Sequence, residues 1–301
     1  MDFYMTTTFR VNKIYRYTLF SFVVLLGLEI GLRYYAYDDF PIFYVDKDIG
    51  YIPKANQAGA YNGKYMWYFN AHHMRNQPFV SDPEHGVLLL GDSIVYGAGI
   101  NFLPEERLGD QLQQAGGGKY RVWSMGAGSW GFFNELTYLN NHPDVVEGVK
   151  YIVWVVNSGD WSEKSVWKTD LIHPRTRPVL LCWYLGLKYI QRFVPNWPEP
   201  KSYQTAPRSL PVEQHLRLIS PSIRSKIVFV AYPDKTELTK KIDNNDTLQV
   251  WSKLKSSRYP MLDVAKHPAW KETLYYDGIH PSAKGNEVLG HIINDFLNYQ
   301  L

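Results

Sequence analysis

The chain has 301 residues, room for one large domain or two small ones, and its 45% apolar and 20% charged residues place it with globular rather than disordered proteins. A formal net charge of +3, with no block of five Lys or Arg, excludes the electrostatic footprint of a nucleic-acid binder. The single cysteine, Cys182, excludes an internal disulfide, and its place in the apolar stretch 179–187 suits a buried, inert thiol.

Residues 1–16 contain Arg10, Lys13 and Arg16 and lead into YTLFSFVVLLGLEIGL, 17–32, apolar except for Glu29. Sixteen helical residues span about 24 Å, short of a ~30 Å hydrocarbon core unless Arg16, Arg33 and the flanking tyrosines reach to the interfaces. Glu29 lies four residues before Arg33, so one helical face can pair them near the outer boundary, where a charge costs least. Basic residues before the run and Asp38 and Asp39 after it orient the amino terminus to the cytoplasm. No small-residue cleavage site follows. The expectation is an uncleaved, single-pass signal anchor in the inner (cytoplasmic) membrane, with the rest of the chain periplasmic or extracellular; a cleaved signal peptide is the alternative. A buried core helix is disfavoured because the run is apolar all round.

Residues 33–84 are rich in Tyr, Gly, Asn and Pro and read as an irregular lead-in with short strands. A strand and helix rhythm then begins. Strands are expected at 87–90, 120–124, 151–156, 226–231 and, more weakly, 261–264. Helices are expected at 105–114, between Pro104 and the Gly116 to Gly118 stop, and at 132–140, 180–193, 236–256 and 283–298. This alternation predicts an α/β fold over 85–301, a three-layer sandwich with a mostly parallel, doubly wound, flavodoxin-like sheet. The stretch 161–221 reads as an insertion over the active face.

HGVLLLGDSIVYGAG, 85–99, sets an unalternating apolar run directly against Gly-Asp-Ser. Such a run suits a strand covered on both faces, and ligands of open α/β sheets bind beyond the carboxyl ends of such strands. Ser93 is therefore a candidate nucleophile. The plainer reading is that Asp92 and Ser93 cap the next helix. Near the other end stands YYDGIHPSAKGNEVLGHIINDFL, in which Asp277 and His280 are three residues apart just before a helix. A D-x-x-H turn can fold the carboxylate against one ring nitrogen and leave the other to take a proton from Ser93.

GDS after a buried first strand, a glycine turn after the second, N-S-G-D after the third and DGIHP before the last helix together resemble the SGNH (GDSL-type) hydrolases over roughly 85–299. LEIGLRYYAY and FNAHHMRNQ resemble the lead-in of the membrane-anchored bacterial members, whose N-x-x-G-x-R segment has His73 here in place of its glycine. The resemblance implies Ser93 as nucleophile, His280 as general base and Asp277 as its orienter. It also implies that Gly126, in WSMGAGSWG, joins the backbone N–H of Ser93 in an oxyanion hole, where each such donor lowers the barrier by about 3 kcal/mol. The third block departs from pattern: the family's oxyanion asparagine falls on Gly159, beside Asp160, so either Asn157 two residues earlier supplies the donor from a shifted turn, the reading favoured, or the side-chain donor is missing and the enzyme is slower.

Gly126 to Gly131, GAGSWG, also fits a dinucleotide fingerprint, but it lies in the second β-α unit, has bulky Trp130 in the turn and lacks the acid expected after the next strand. No paired cysteines or H-E-x-x-H occur, and adjacent His72 and His73 point apart if extended. No metal and no cofactor are implied. The expected activity is a serine esterase acting on a small, carbohydrate-linked or acetyl ester. An O-acyltransferase modifying a cell-surface or exopolysaccharide, with partners from polysaccharide biosynthesis, uses the same triad, and a non-catalytic polysaccharide-binding protein on the same scaffold is a third possibility. Trp161, Trp167, Trp183, Tyr184, Trp197 and Tyr203 of the insertion are candidates to stack on sugar rings or to form a covering core.

Overall fold

The computed structural model describes residues 2–75, 77–97, 102–161, 164–194, 211–239 and 245–299. The first element, α1 (Asp2–Tyr34), contains a stretch, Tyr15–Tyr34, that is 20 residues long, apolar enough to cross a membrane and not buried by the rest of the protein. Twenty helical residues reach about 30 Å, so the helix continues past both ends of the sequence-read span and removes its shortfall in length.

Two antiparallel hairpins follow, β1 (Phe43–Asp46) with β2 (Gly50–Pro53) and β3 (Gln57–Tyr61) with β4 (Tyr65–Phe69). The chain then runs through β5 (Asp82–Gly91), α2 (Ser93–Tyr96), α3 (Leu108–Ala115), β6 (Arg121–Gly126), α4 (Phe132–Asn141), α5 (Pro143–Glu147) and β7 (Val149–Val156). It continues with α6 (Leu181–Phe193), α7 (Val212–Arg217), α8 (Pro221–Arg224), β8 (Ile227–Ala231), α9 (Lys235–Thr239), α10 (Asn245–Ser256), β9 (Met261–Asp263) and α11 (Ala283–Tyr299).

β5 to β9 form one parallel sheet in the order β6-β5-β7-β8-β9. Side chains alternate between two cores, as the period of a strand requires. Val87, Leu89, Val153, Val155, Val228 and Val230 face α2, α3 and α11, whose Ile94, Leu108, Leu112, Leu289 and Ile293 are buried against them. Leu88, Leu90, Trp123, Met125, Trp154 and Phe229 face the other way, onto α4 and α7 and also onto Phe43, Tyr51, Trp67, Phe69 and Met74 of the lead-in. The three-layer, doubly wound arrangement is thus present, with the hairpins of the lead-in forming part of one outer layer.

Several boundaries differ from expectation. β5 begins at Asp82 rather than 87, because Asp82 already pairs with Val149 before a register shift carries the chain to Val87. The helix expected at 105–114 is a 3-10 turn at Pro104–Glu106 and then α3, with Arg107 extended between them and its guanidinium donating to the Met66 carbonyl. The helix expected at 236–256 is α9 and α10, and the residues between them lie outside the described ones. Short α5, α7 and α8 were not expected, since a helix of four to six residues carries too little periodicity to read.

On the α4 side of the sheet Glu135 is fully buried, its Oε2 accepting from Trp154 Nε1 at 2.5 Å while Oε1 has no hydrogen-bond partner. Burial pushes its carboxyl up to about 8. The folded chain therefore keeps a proton that the unfolded chain releases above about 4.5. The stability this supplies is complete below that value and is lost as pH rises towards 8. Glu135→Gln removes the titration. Between pH 4.5 and 8 the melting temperature of the native chain should fall relative to that of Glu135→Gln in parallel thermal scans; a constant difference would contradict a buried neutral acid.

Candidate active site

β5 ends inside the sheet, between β6 and β7, where the strand order reverses direction. That switch point opens a crevice at the carboxyl edge, and the chain must turn there. Asp92 caps α2 by accepting the Ile94 N–H at 2.8 Å, and Ser93 is the first residue of the helix. Capping and exposure of the serine to the crevice coexist, so the two readings of this motif are not rivals.

The partner turn is built by side chains behind it. Tyr275 and Pro281 form a β-bridge, Tyr276 N–H donates to the His280 carbonyl at 2.7 Å, and Tyr232 donates its hydroxyl to the Ile279 carbonyl at 2.7 Å. Asp277 Oδ1 accepts the N–H groups of Ile279 and His280 at 2.9 and 2.8 Å, which folds the carboxylate over the ring. Its Oδ2 lies 2.7 Å from His280 Nδ1, and His280 Nε2 lies 2.9 Å from Ser93 Oγ. Partial burial works against ionisation of Asp277, but the hydrogen bonds from His280 and Ile279 outweigh it and hold the carboxyl below the usual range. With Nδ1–H donating to Asp277, Nε2 is left as the acceptor for the serine proton.

Ser93 and His280 open into a cleft of about 290 Å³ walled by Phe40, Phe43, Tyr96, Gly128, His173, Tyr184 and Lys188. His173, Tyr184 and Lys188 come from the 161–221 stretch. His173 is buried, packs its ring at a tilt against Tyr51 at 4.1 Å between centroids and hydrogen-bonds the backbone of Gly128. Burial holds its imidazole down to about 4, so it is neutral at ordinary pH. Tyr51 donates its hydroxyl to the Gly128 carbonyl as well. Two side chains far apart in sequence thus fix the peptide of the turn after β6; the sequence held no periodic or motif signal for either.

Two of the expected oxyanion residues lie elsewhere. Gly126 pairs with Gly91 inside the sheet, and a Cβ on it would stand 2.3 Å from the Gly91 carbonyl oxygen and 2.9 Å from that of Asp92. Close backbone approach explains its identity, while Gly128, two residues on, is the glycine that lines the cleft. Asn157 is buried, and its amide donates to Asp92 Oδ2 at 3.1 Å and to Asp160 Oδ1 at 2.9 Å. Both protons of that amide are engaged by carboxylates, so in this arrangement neither is free for an oxyanion. Asn157 Oδ1 accepts from Gly159 N–H at 2.8 Å, tying the departing third block into one compact turn.

Beneath Ser93, Asp92, Asp160 and Glu135 are all buried and influence one another. Burial raises Asp92 to about 6 and Asp160 well above the ordinary value, the latter also through the charges of Asp92 and Glu135. His73 adopts φ +62°, a left-handed conformation that explains a glycine in the pattern it departs from, and its Nδ1 lies 2.7 Å from the Pro53 carbonyl oxygen. Among the insertion aromatics, Trp161, Trp167 and Tyr184 are buried, Trp183 faces outward, and Trp197 and Tyr203 lie outside the described residues. Cys182 is only partly buried, because it sits at the start of α6 rather than in a core.

No family model and no curated protein matches the chain. Solved structures do. A carbohydrate acetylesterase family member from Sinorhizobium meliloti aligns over 71% of this chain and 97% of its own, at 15% identity and a TM-score of 0.39. An aryl esterase from M. smegmatis covers 72% and 100% at 16% identity and a TM-score of 0.40. A lipolytic protein of the G-D-S-L family from Veillonella parvula covers 71% and 99% at 10% identity and a TM-score of 0.41. Likeness at this level assigns no reaction, which has to be read from the side chains.

Gly126→Ala should cost about 1–3 kcal/mol in urea denaturation, since the atoms its methyl meets are backbone and cannot swing aside. A variant that is slow but fully stable would return Gly126 to a direct catalytic role. Asn157→Ala should lower unfolding stability by roughly 1–3 kcal/mol together with kcat, because it strips two buried carboxyls of a donor. A fall of about a hundredfold in kcat at unchanged stability would instead identify Asn157 as an oxyanion donor.

Proposed function

We propose that the protein is a serine esterase of the SGNH kind that acts outside the cytoplasm on a small acyl ester, an acetyl group on a carbohydrate being the substrate class favoured. The observation that carries this is the unbroken hydrogen-bonded series Ser93, His280, Asp277 opening into a cleft of about 290 Å³. The volume accommodates a short acyl group with part of its alcohol.

In this proposal Ser93 Oγ attacks the ester carbonyl as His280 Nε2 takes its proton, and Asp277 holds the imidazolium that forms. The charge on the carbonyl oxygen is received by the Ser93 N–H, at the first position of α2 where the helix itself supplies no acceptor, and by the turn after Gly126. His280 returns the proton to the leaving alcohol, which leaves an acyl-Ser93. Water, deprotonated by His280, then releases the acid and restores the serine. Neutral His173 and the aromatic wall of Phe40, Phe43, Tyr96 and Tyr184 limit the access of bulk water to the acyl group.

The membrane assignment is part of the proposal: α1 is an uncleaved anchor with its basic end cytoplasmic, and the catalytic domain stands on the periplasmic or outer side of the inner membrane. The charge order along 1–39 supports it, as does the length of Tyr15–Tyr34. O-acyl transfer to a sugar hydroxyl needs the same acyl-enzyme and differs only in the acceptor.

Ser93→Ala should abolish both labelling by a fluorophosphonate and turnover of an aryl acetate, since among the described residues that line the cleft Ser93 alone is hydrogen-bonded to the His280 and Asp277 pair that can activate it. Labelling of the variant at a comparable rate would remove Ser93 from the mechanism. With the native chain, an acetyl ester and an oligosaccharide acceptor, hydrolysis gives free acetate as the main product. Acetylated oligosaccharide in excess over acetate would establish transfer in its place.

A further inference from the structure

The outer end of α1 and the start of α6 are locked together. Glu29 accepts the backbone N–H of Leu181 on Oε1 at 3.0 Å and that of Cys182 on Oε2 at 2.8 Å. Arg33, whose Nε donates to Glu29 at 2.7 Å, also donates through Nη2 to the carbonyls of Pro178 and Val179 at 3.0 and 2.9 Å. Glu29 lies within the stretch Tyr15–Tyr34, five residues from its end. At 1.5 Å per residue, this fixes 178–182 within about 8 Å of the level at which the span stops.

The inner side of α6 is spent on the protein: Leu181 and Tyr184 pack with Phe40, and Tyr184 and Lys188 wall the Ser93 cleft. The other side carries an uncovered apolar stripe. Trp183 is 66% and Ile190 44% exposed, and with half-buried Leu187 they fall on one face at 100° per residue, while Val179, 91% exposed, and Leu180 just before the helix and Val194, 41%, just after it extend the uncovered apolar surface. A soluble amphipathic helix turns such a stripe inward; α6 turns it out.

We propose that α6 is an interfacial helix that beds this stripe in the outer leaflet of the membrane that α1 crosses. The inference rests on α1 being a span, and it goes beyond that reading by adding a second, non-spanning contact. Lipid is the occupant because the Glu29 clamp sets the depth: if α1 spans, the headgroup and upper acyl region occupy the level of 178–182 whatever else is present. Trp183 on the outward side suits that boundary, where an aromatic ring has an apolar body and a polar edge to satisfy. The Ser93 cleft then stands one helix diameter, about 10 Å, from the lipid. Esters carried in or at the membrane surface reach it most directly.

The test uses the full chain in vesicles of phosphatidylethanolamine and phosphatidylglycerol. Cys182→Ser clears the only native thiol, and single cysteines introduced by Trp183→Cys and Ile190→Cys carry a nitroxide. Leu25→Cys in α1 gives the span reference and Tyr299→Cys in α11 the water reference. Collision rates with oxygen, which concentrates in lipid, and with a neutral nickel chelate, which stays in water, are then compared. The expected result is oxygen-rich, chelate-poor collision at 183 and 190, like that at 25 and opposite to that at 299. Free access of the chelate to 183 and 190 overturns the proposal, and exclusion of both reagents overturns it in favour of a protein partner. If 25 reads as lipid in either case, the span stands and only the interfacial helix falls; chelate access at 25 removes both.

Discussion

The burial of β5 on both faces is the constraint on which the site depends. Val87 and Leu89 belong to one core and Leu88 and Leu90 to the other, and the strand's backbone is taken up by β6 on one side and β7 on the other. A strand so enclosed can present chemistry only at its carboxyl end. The end is crowded: Gly91 and Gly126 pair as glycines because neither has room for a Cβ, which draws the two turns above them close together. Ser93 and Gly128, on those turns, therefore share one cleft. The rest of the sheet then has a single further task, to bring β8, β9 and the start of α11 round so that the Asp277 to His280 turn faces the serine.

What was legible in the residues follows from which forces are local. The apolar runs of β5, β7 and β8 announced themselves because central parallel strands need no polar face, and D-x-x-H announced its turn because Asp277 bonds to N–H groups only two and three residues away. The parts that could not be read are set by contacts far apart in the chain. Arg107 breaks its helix to reach a carbonyl 41 residues earlier, and Tyr51 reaches Gly128 across 77. His173 gains meaning only once the insertion folds down beside Tyr51. Spacing placed Asn157 near the site but could not say where its amide points. In the lead-in, hairpin residues alternate too briefly for a period to emerge, yet Tyr51, Trp67 and Phe69 complete the core.

A layer of carboxyl groups beneath the nucleophile shapes the electrostatics. Asp92, Asp160 and Glu135 are deep and close together, so burial and mutual repulsion raise all three and oppose their ionising together. Fixed negative charge there would oppose an oxyanion forming above it. Asn157 bridges Asp92 to Asp160 and spreads whatever charge remains over one hydrogen-bonded unit. The turn from Asn157 to Asp160 is thus a polar keystone under the serine.

The separation of the proposed nucleophile and base has a temporal side. Ser93 and His280 meet across 187 residues. A growing chain holds its serine long before it holds anything to deprotonate it, and β5, β6 and β7 can assemble around a hydroxyl that is chemically no different from that of any surface serine. On the proposed mechanism, reactivity begins only when the final turn docks under Tyr232 and Tyr275. The order of the chain itself thus delays the chemistry until the scaffold that confines it is complete.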